Sequence, residues 1–109
     1  MSLVEEQWAF LQDVARLINY LKEQGLVATG GELWRTEEQQ LRYRSLGLSF
    51  ARRSKHQDRL AIDLNHIFDG KLVPWPEAVG AFWESLHPKN VWGGRWKKPY
   101  DPSHFERRL

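Results

Sequence analysis

Apolar residues recur at helical spacing in the first quarter of the chain. Five of them fall on one face of a predicted helix over residues 3–24: Leu11, Val14, Ala15, Ile18 and Leu21. Ser2 and Glu5 fit a capping box before this helix, and Gly25 follows where a helix would end. We expect this helix to serve as scaffold for the rest of the domain.

Shorter elements follow it. Residues 26–34 contain two adjacent glycines and then alternate, which predicts a loop leading into a short strand. Thr36 is a suitable N-cap for a second helix over residues 37–44. Residues 48–58 are basic and have no periodicity, so they are interpreted as a loop.

The second half of the chain alternates strand and helix patterns. Asp69-Gly70 indicates a hairpin turn, prolines precede a third helix over 77–86, and a last short strand covers 104–107. The strand before the hairpin has apolar side chains at alternate positions, Leu60, Ile62 and Leu64. The order α-β-α-β-β-α-β predicts a small α+β domain with an antiparallel sheet and flanking helices.

Length and composition limit the classes of protein. A chain of 109 residues is long enough for one domain, which we expect to span residues 1–109. Cysteine is absent, so a metal would have to be held by histidines and carboxylates. No segment approaches the roughly 18 apolar residues of a membrane span, and the N-terminus lacks a signal-peptide pattern. We therefore expect synthesis in the cytoplasm, without a signal peptide or a membrane span.

The net charge of +2 hides an uneven distribution of basic residues. They lie in two groups, Arg52, Arg53, Lys55 and Arg59, then Arg95, Lys97 and Lys98. Such a patch attracts nucleic acid or an anionic cell-wall polymer, although a solvated basic face is the commonest case. A nucleic-acid-binding protein would show salt-sensitive binding to DNA or RNA and would need no metal.

Two short clusters carry candidate chemistry, His56-x6-Asp63 and Asp101-x2-His104. A hydrolytic zinc site needs three protein ligands, an open position for water and a nearby carboxylate that accepts the proton of that water. On one straight strand His56 and Asp63 would lie about 23 Å apart, at roughly 3.3 Å per residue. Both reach one metal only if the chain doubles back between them, with His56 on the loop before the strand. By spacing alone, ordinary surface or core residues are an equally good interpretation.

The residues around these clusters resemble a known family. The matching segments are Trp34-Arg35-Thr36-x3-Gln40, Ser54-x-His56-x4-Ala61-x-Asp63, Trp92-Gly93-Gly94-x-Trp96 and Asp101-x2-His104-Phe105-Glu106. Together they resemble the zinc D-Ala-D-Ala carboxypeptidase (VanY-like) and phage L-alanyl-D-glutamate peptidase (endolysin) family, which shares its fold with hedgehog signalling domains. The resemblance runs in family order from about residue 29 to 107 and implies a hedgehog/DD-peptidase-like fold.

The resemblance also implies roles for single residues. The ligands of one Zn²⁺ would be His56, Asp63 and His104, and Asp101 would be the general base. Arg35 would stabilise the oxyanion or hold a substrate carboxylate, as its planar, permanently charged donors suit. Polar contacts in the cleft would come from Gln40 and Ser54.

Asp at position 101 and the Trp-Gly-Gly segment are more similar to the phage endopeptidase branch than to the carboxypeptidases. The resemblance thus implies a hydrolase of peptidoglycan stem peptides, acting on L-alanyl-D-glutamate at the bacterial cell wall after release or export. We expect it to act as a monomer. Nucleic acid is not an expected partner. Alternatives are a D,D-carboxypeptidase or dipeptidase acting on D-Ala termini, and a non-catalytic zinc-containing wall-binding module.

A few residues have two interpretations. His66 and His87 are expected to be structural rather than ligands. Glu106 either supports a ligand from behind or forms a surface salt bridge, while Trp92 and Trp96 either wall the cleft or pack in the core. Arg59 departs from the family, which commonly has glycine at this turn, so the shape of the turn is the open question.

Overall fold

The computed structural model describes residues 2–34, 36–45 and 55–109, apart from the side chain of Tyr43. Its elements in chain order are α1 (Leu3–Glu23), β1 (Val27–Gly30), α2 (Glu37–Ser45), β2 (Ala61–Phe68), β3 (Lys71–Val73), α3 (Glu77–Ser85), β4 (Asn90–Trp92), a 3₁₀ turn (Gly93–Arg95) and β5 (His104–Arg107). The predicted α+β class with an antiparallel sheet is confirmed.

All three helices begin at the residues that the sequence indicates, and two of them begin with side-chain caps. The Ser2 hydroxyl accepts the backbone N–H of Glu5, 3.2 Å away, at the start of α1. Before α2, Thr36 Oγ1 accepts the N–H of Gln39 while the Gln39 side chain accepts the N–H of Thr36, each at 3.0 Å. These reciprocal bonds satisfy N–H groups that a helix leaves without an internal partner.

The sheet is built around the long strand β2. One edge of β2 pairs with β1, and its other edge pairs with β5 at residues 61–63 and with β3 at residues 66–68. Strand β4 pairs with the far side of β5, and every pairing is antiparallel. The hairpin turn at Asp69-Gly70 joins β2 to β3, as predicted, with Phe68 opposite Lys71.

The core lies between one face of this sheet and helices α1 and α3. Its buried residues are Phe10, Val14, Leu17, Leu21, Leu60, Leu64, Trp75, Val79, Trp83, Trp92 and Phe105. The predicted buried face of α1 was therefore partly wrong, because Leu11, Ala15 and Ile18 are exposed and only Val14 and Leu21 of the predicted five are buried. The face of α1 that contacts the core instead contains Phe10, Val14, Leu17 and Leu21. The Phe10 and Trp83 rings pack edge to face, with their centroids 5.6 Å apart.

Two strand predictions need correction. In residues 26–34 the strand comes first, over Val27–Gly30, and the irregular segment follows it. The glycines had suggested a loop, but Gly31 continues the pairing by donating its N–H to the Asp63 carbonyl at 2.8 Å. Strand β4, over Asn90–Trp92, was missed because three residues between a proline and two glycines are too few for alternation to be visible.

A buried polar network ties α1 to the sheet. Arg107 on β5 donates to the Asp13 carboxylate on α1 and to Asn90 Oδ1 on β4, the latter at 3.1 Å. Asn90 also donates to Asp13 at 3.2 Å. Because a buried charge without partners costs several kcal/mol, this mutual satisfaction fixes how α1 docks. No helix within 2–34, 36–45 and 55–109 combines the length and the apolar character that crossing a bilayer requires.

A tight turn over residues 55–59 precedes β2. The Leu60 N–H donates to the Lys55 carbonyl at 2.9 Å, and the Arg59 N–H donates to the His56 carbonyl at 3.3 Å. Arg59 has a φ of 57°, in the left-handed region that a side chain with Cβ disfavours by roughly 1–2 kcal/mol. The Gln7 side chain on α1 holds this turn by donating to the Asp58 carbonyl at 2.8 Å.

Replacement of Arg59 should report on this backbone conformation. Arg59→Gly should leave the free energy of unfolding within about 1 kcal/mol of the original, because relief at positive φ offsets the greater chain entropy of glycine. Arg59→Val should lower it by a further 1–2 kcal/mol or so, because a β-branched residue is poorly tolerated there. Both variants lose the stacking of Arg59 over the Trp34 ring, so their difference isolates the backbone. Chemical denaturation measures it, and equal stabilities would contradict the assigned φ.

Candidate metal centre

The turn over residues 55–59 brings His56 back beside Asp63. His56 Nε2 lies 3.4 Å from Asp63 Oδ1, although seven positions separate the two residues in sequence. His56 is buried near the start of the turn, and Asp63 is the third residue of β2. The requirement that the chain double back between them is confirmed.

The register of the sheet supplies the third side chain. Asp63 on β2 is the direct partner of His104 on β5, and opposed residues in an antiparallel pair point to the same face. His104 Nδ1 lies 3.5 Å from Asp63 Oδ1. One ligand atom from each of His56, Asp63 and His104 lies within 4.8 Å of the other two. The structure therefore brings together the three residues that the sequence pointed to.

Hydrogen bonds orient both imidazoles. His56 Nδ1 lies 3.2 Å from the carbonyl oxygen of Leu33, which only accepts, so this nitrogen carries the proton. His104 Nε2 lies 2.8 Å from Glu106 Oε1 and donates to it. The nitrogen that faces Asp63 is consequently Nε2 in His56 and Nδ1 in His104. Of the two interpretations of Glu106, support for a ligand is the one that the geometry favours.

The electrostatics match this arrangement. Burial alone would raise the pKa of Asp63, but its contacts with His104 and His56 outweigh that effect and lower the pKa to about 2. Burial would lower the pKa of His104, yet Asp63 and Glu106 together raise it to about 9. Burial likewise opposes ionisation of Glu106, but the bonds from His104 and Arg108 keep its pKa below the usual value. Without a bound cation, the centre therefore gathers positive charge on His104.

The donor set fits a divalent metal ion of the zinc type. Neutral imidazole nitrogens and a carboxylate oxygen are common zinc ligands, and tetrahedral bonds of about 2.0–2.1 Å place donor atoms about 3.4 Å apart. The distances of 3.4 and 3.5 Å from Asp63 Oδ1 to the two imidazoles agree with that spacing. Asp63 Oδ1 is buried, and within the described part of the chain it accepts no hydrogen bond of ordinary geometry.

Asp101 lies at the open side of the centre. Its Oδ2 is 3.9 Å from His104 Nδ1, and its side chain is 43% exposed. The backbone holds this loop, since Asp101 N–H donates to the Gly93 carbonyl and His104 N–H donates to the Asp101 carbonyl, both at 3.1 Å. A Cβ on residue 93 would lie 2.2 Å from the Asp101 carbonyl oxygen, so only glycine fits there. This explains one glycine of the Trp-Gly-Gly segment.

The other predicted site residues are in different situations. Gln40 is fully buried on α2, and its contact with a substrate stays a prediction. Arg35 and Ser54 lie outside the described residues. Gly31 passes so close to Asp63 that a Cβ would lie 2.9 Å from Asp63 Cβ. Sequence reasoning missed this approach, which the paired glycines at 30 and 31 signal only once the strand register is known.

The two remaining histidines have structural roles. His66 donates from Nδ1 to the Pro74 carbonyl at 3.0 Å and stacks on Trp75 with a centroid distance of 4.3 Å. His87 Nδ1 accepts the backbone N–H of Lys89 at 3.1 Å just beyond α3. The expectation that neither belongs to the metal centre agrees with these contacts.

The two tryptophans of the Trp-Gly-Gly-x-Trp segment differ. Trp92 is a core residue whose Nε1 donates to the Pro102 carbonyl at 2.8 Å, so of its two interpretations packing in the core is the one that the structure supports. Trp96 is half-buried, and its ring centroid is 5.1 Å from that of His104. Trp96 is therefore the member of the pair that borders the centre.

A small antiparallel α+β domain with a His-Asp-His group, two members on paired strands and one in the turn before them, defines a class of candidate metallohydrolase. Comparison with family models places residues 49–107 in the family described as D-alanyl-D-alanine carboxypeptidase. That match spans more than half of the chain, and the protein belongs to this peptidase family.

A solved structure shares the fold. The crystal structure of the Serratia marcescens L-Ala D-Glu endopeptidase ChiX superposes with a TM-score of 0.68, over 91% of this chain and 77% of the other, at 21% sequence identity. No curated protein sequence matches significantly. The DD-peptidase-like fold implied by the sequence is thus confirmed.

The protonation of His104 gives a test of the centre that needs no substrate. In metal-free protein we expect its pKa near 9, against an ordinary value of 6.5, and Asp63→Asn should lower it. Because the pKa is raised on folding, the contribution to stability is complete below about pH 6.5 and is lost as the pH rises through 9. NMR titration of the imidazole measures this. A His104 pKa that Asp63→Asn leaves unchanged would contradict the contact.

Proposed function

We propose that the protein is a zinc metallopeptidase that hydrolyses bacterial peptidoglycan stem peptides at the L-alanyl-D-glutamate bond. The observation that carries this proposal is the convergence of His56, Asp63 and His104 on one point, with Asp101 at its open side. Membership of a peptidase family supports the reaction type. The Serratia enzyme with the same fold is an L-Ala D-Glu endopeptidase, which supports the choice of bond.

The ligands would be His56 Nε2, Asp63 Oδ1 and His104 Nδ1, which leaves a fourth position for water or substrate. When bound, zinc polarises a substrate carbonyl and lowers the pKa of a water molecule. The chain's own residues then move protons. Asp101 has a carboxylate beside the centre that reaches solvent, so it can accept the proton of the attacking water and later donate it to the leaving amine.

The remaining roles come from the family resemblance. Arg35 would stabilise the developing oxyanion or hold a substrate carboxylate, and Gln40 and Ser54 would make polar contacts with the substrate. Independently of the resemblance, Trp96 packs near His104 and would limit the access of water on that side. We further propose that the protein acts as a monomer at the bacterial cell wall, after release or export, in the manner of an endolysin.

A second candidate is a D,D-carboxypeptidase or dipeptidase acting on D-Ala termini. The family's description favours it directly. Such an enzyme must recognise a terminal carboxylate next to the cut bond, whereas an endopeptidase must accept chain on both sides. Asp at position 101 and the Trp92-Gly93-Gly94 segment favour the endopeptidase. A zinc-containing wall-binding module without turnover is the alternative outside the enzymes.

Two matched variants should separate metal binding from proton transfer. Asp101→Asn should keep one zinc per chain and lose hydrolysis by about 10²-fold or more, because the amide cannot accept the proton. His104→Ala should lose the zinc, because two ligands remain. Metal analysis and a wall-hydrolysis assay measure the two effects. Asp69→Asn, the same change at the distant and exposed hairpin turn, is the control.

Each outcome has a clear meaning. Undiminished turnover by Asp101→Asn would refute its role as the base, and stoichiometric zinc in His104→Ala would refute the ligand set. Zinc in the unaltered protein without any cleavage of wall preparations would favour the binding module.

The released fragment identifies the bond that is cut. With purified stem peptides, we expect mass spectrometry to show cleavage between L-Ala and D-Glu. Loss of a single terminal D-Ala would instead establish the carboxypeptidase. A peptide with L-Glu in place of D-Glu is the matched control and should be cut much more slowly, because the site must hold the inverted centre beside the carbonyl under attack.

A further inference from the structure

Glu106 occupies a special position relative to His104. The two residues are two apart on β5, so their side chains point to the same face of the sheet, while Phe105 between them points into the core. This spacing places the Glu106 carboxylate against the far nitrogen of the His104 ring, at 2.8 Å. The contact follows from the strand itself and not from a loop conformation.

The Glu106 carboxylate is held at both oxygens. Oε1 accepts from His104 Nε2 and Oε2 accepts from Arg108 Nε at 3.1 Å. The side chain is 9% exposed. A buried carboxylate is tolerated only when such bonds replace its hydration, and two bonds on opposite oxygens leave it little freedom to rotate.

The strand opposite is adapted to this contact. Ala61 on β2 is the direct cross-strand partner of Glu106 and is fully buried. Directly opposed side chains on one face have their Cβ atoms about 4.5–5.5 Å apart. A methyl group at position 61 therefore takes up little of the space beside Glu106 on this face. This gives a physical reason for alanine two residues before Asp63.

The two histidines of the centre are thus supported in different ways. The backbone carbonyl of Leu33 fixes the His56 proton on Nδ1. A side-chain substitution cannot remove this carbonyl. A carboxylate fixes the His104 proton on Nε2 and so directs the lone pair of Nδ1 toward Asp63. A carboxylate behind a ligating imidazole also increases its strength as a donor.

We infer that Glu106 is a positioning residue, which holds His104 in the tautomer that binds zinc through Nδ1 and strengthens that ligand. The inference depends on the proposed zinc site. It adds a dependence of metal affinity on a residue that touches neither the metal nor the substrate.

The experiment compares Glu106→Ala and Glu106→Gln with the unaltered protein. Chelator competition should show zinc affinity about 10–100-fold weaker in Glu106→Ala, the usual effect of removing a partner of this kind. Glu106→Gln should lose less, because its amide oxygen still accepts from Nε2 while the negative charge is gone. Glu84→Gln is the matched control: it removes a carboxylate bonded to Arg95 at 2.6 Å, on α3, and should leave the affinity unchanged.

A second readout separates positioning from stability. In zinc-loaded protein, NMR should show the Nε2–H proton of His104, protected from exchange by its bond to Glu106. The signal should persist in Glu106→Gln and disappear in Glu106→Ala. If Glu106→Ala does not fold, the zinc affinity and the Nε2–H signal of Glu106→Gln still test the inference.

The outcomes distinguish the two proposals. No zinc in the unaltered protein would overturn the proposed function and this inference with it. If the unaltered protein binds zinc and both Glu106 variants bind it with the same affinity as the unaltered protein, the inference alone is overturned. A loss of stability without a change of affinity or of the His104 signal would also overturn it, because that is the result of a merely structural glutamate.

Discussion

The centre depends on the register in which β2 pairs with β5. Asp63 is opposite His104, and Ala61 is opposite Glu106. One face of the two strands therefore carries two candidate ligands, Asp63 and His104. The same face carries Glu106, which supports His104, and the small residue opposite it. A slip of one residue would turn these side chains to the other face and move Ile62 and Phe105 out of the core. Hydrophobic burial on one side of the sheet therefore fixes the chemistry on the other side. Stability and site geometry are specified by the same alternation.

The third candidate ligand is fixed by a different device. His56 lies outside the sheet, in a turn that Arg59 closes with a positive φ. The turn is held by α1, because the Gln7 side chain donates to the Asp58 carbonyl. The His56 imidazole is held by the segment after β1, because the Leu33 carbonyl accepts from His56 Nδ1. The N-terminal helix is thus more than a cover for the core. It also anchors the backbone that carries a ligand, and the Asp13–Arg107 contact fixes the same helix to the strand that carries His104.

Much of this arrangement could be predicted from the sequence. Caps and apolar spacing located α1, α2 and α3, and the alternation around Leu64 located β2. The need for a turn between His56 and Asp63 followed from chain geometry. Local patterns failed where the information is tertiary. The three residues of β4 are too short to show a period, and the buried stripe of α1 is chosen by what Phe10 and Leu17 meet across the core. Burial of Trp92, likewise, depends on where β4 pairs. Glu106 had two interpretations until the register placed it behind His104.

Asp101 differs physically from the three residues beside it. Metal ligands must be held firmly and partly dehydrated, because a metal replaces their hydration. The candidate ligands His56, Asp63 and His104 meet this condition, since they lie on paired strands or in a turn fixed by hydrogen bonds. A group that exchanges protons with water must instead be in contact with solvent. The Asp101 side chain lies on a loop and is 43% exposed. The loop is nevertheless fixed through its backbone, by bonds to Gly93 and His104 that no change of the carboxylate disturbs. The backbone therefore fixes the position of Asp101, whatever the protonation state of its carboxylate. In this way a general base can be exposed to solvent and still be held in a defined position.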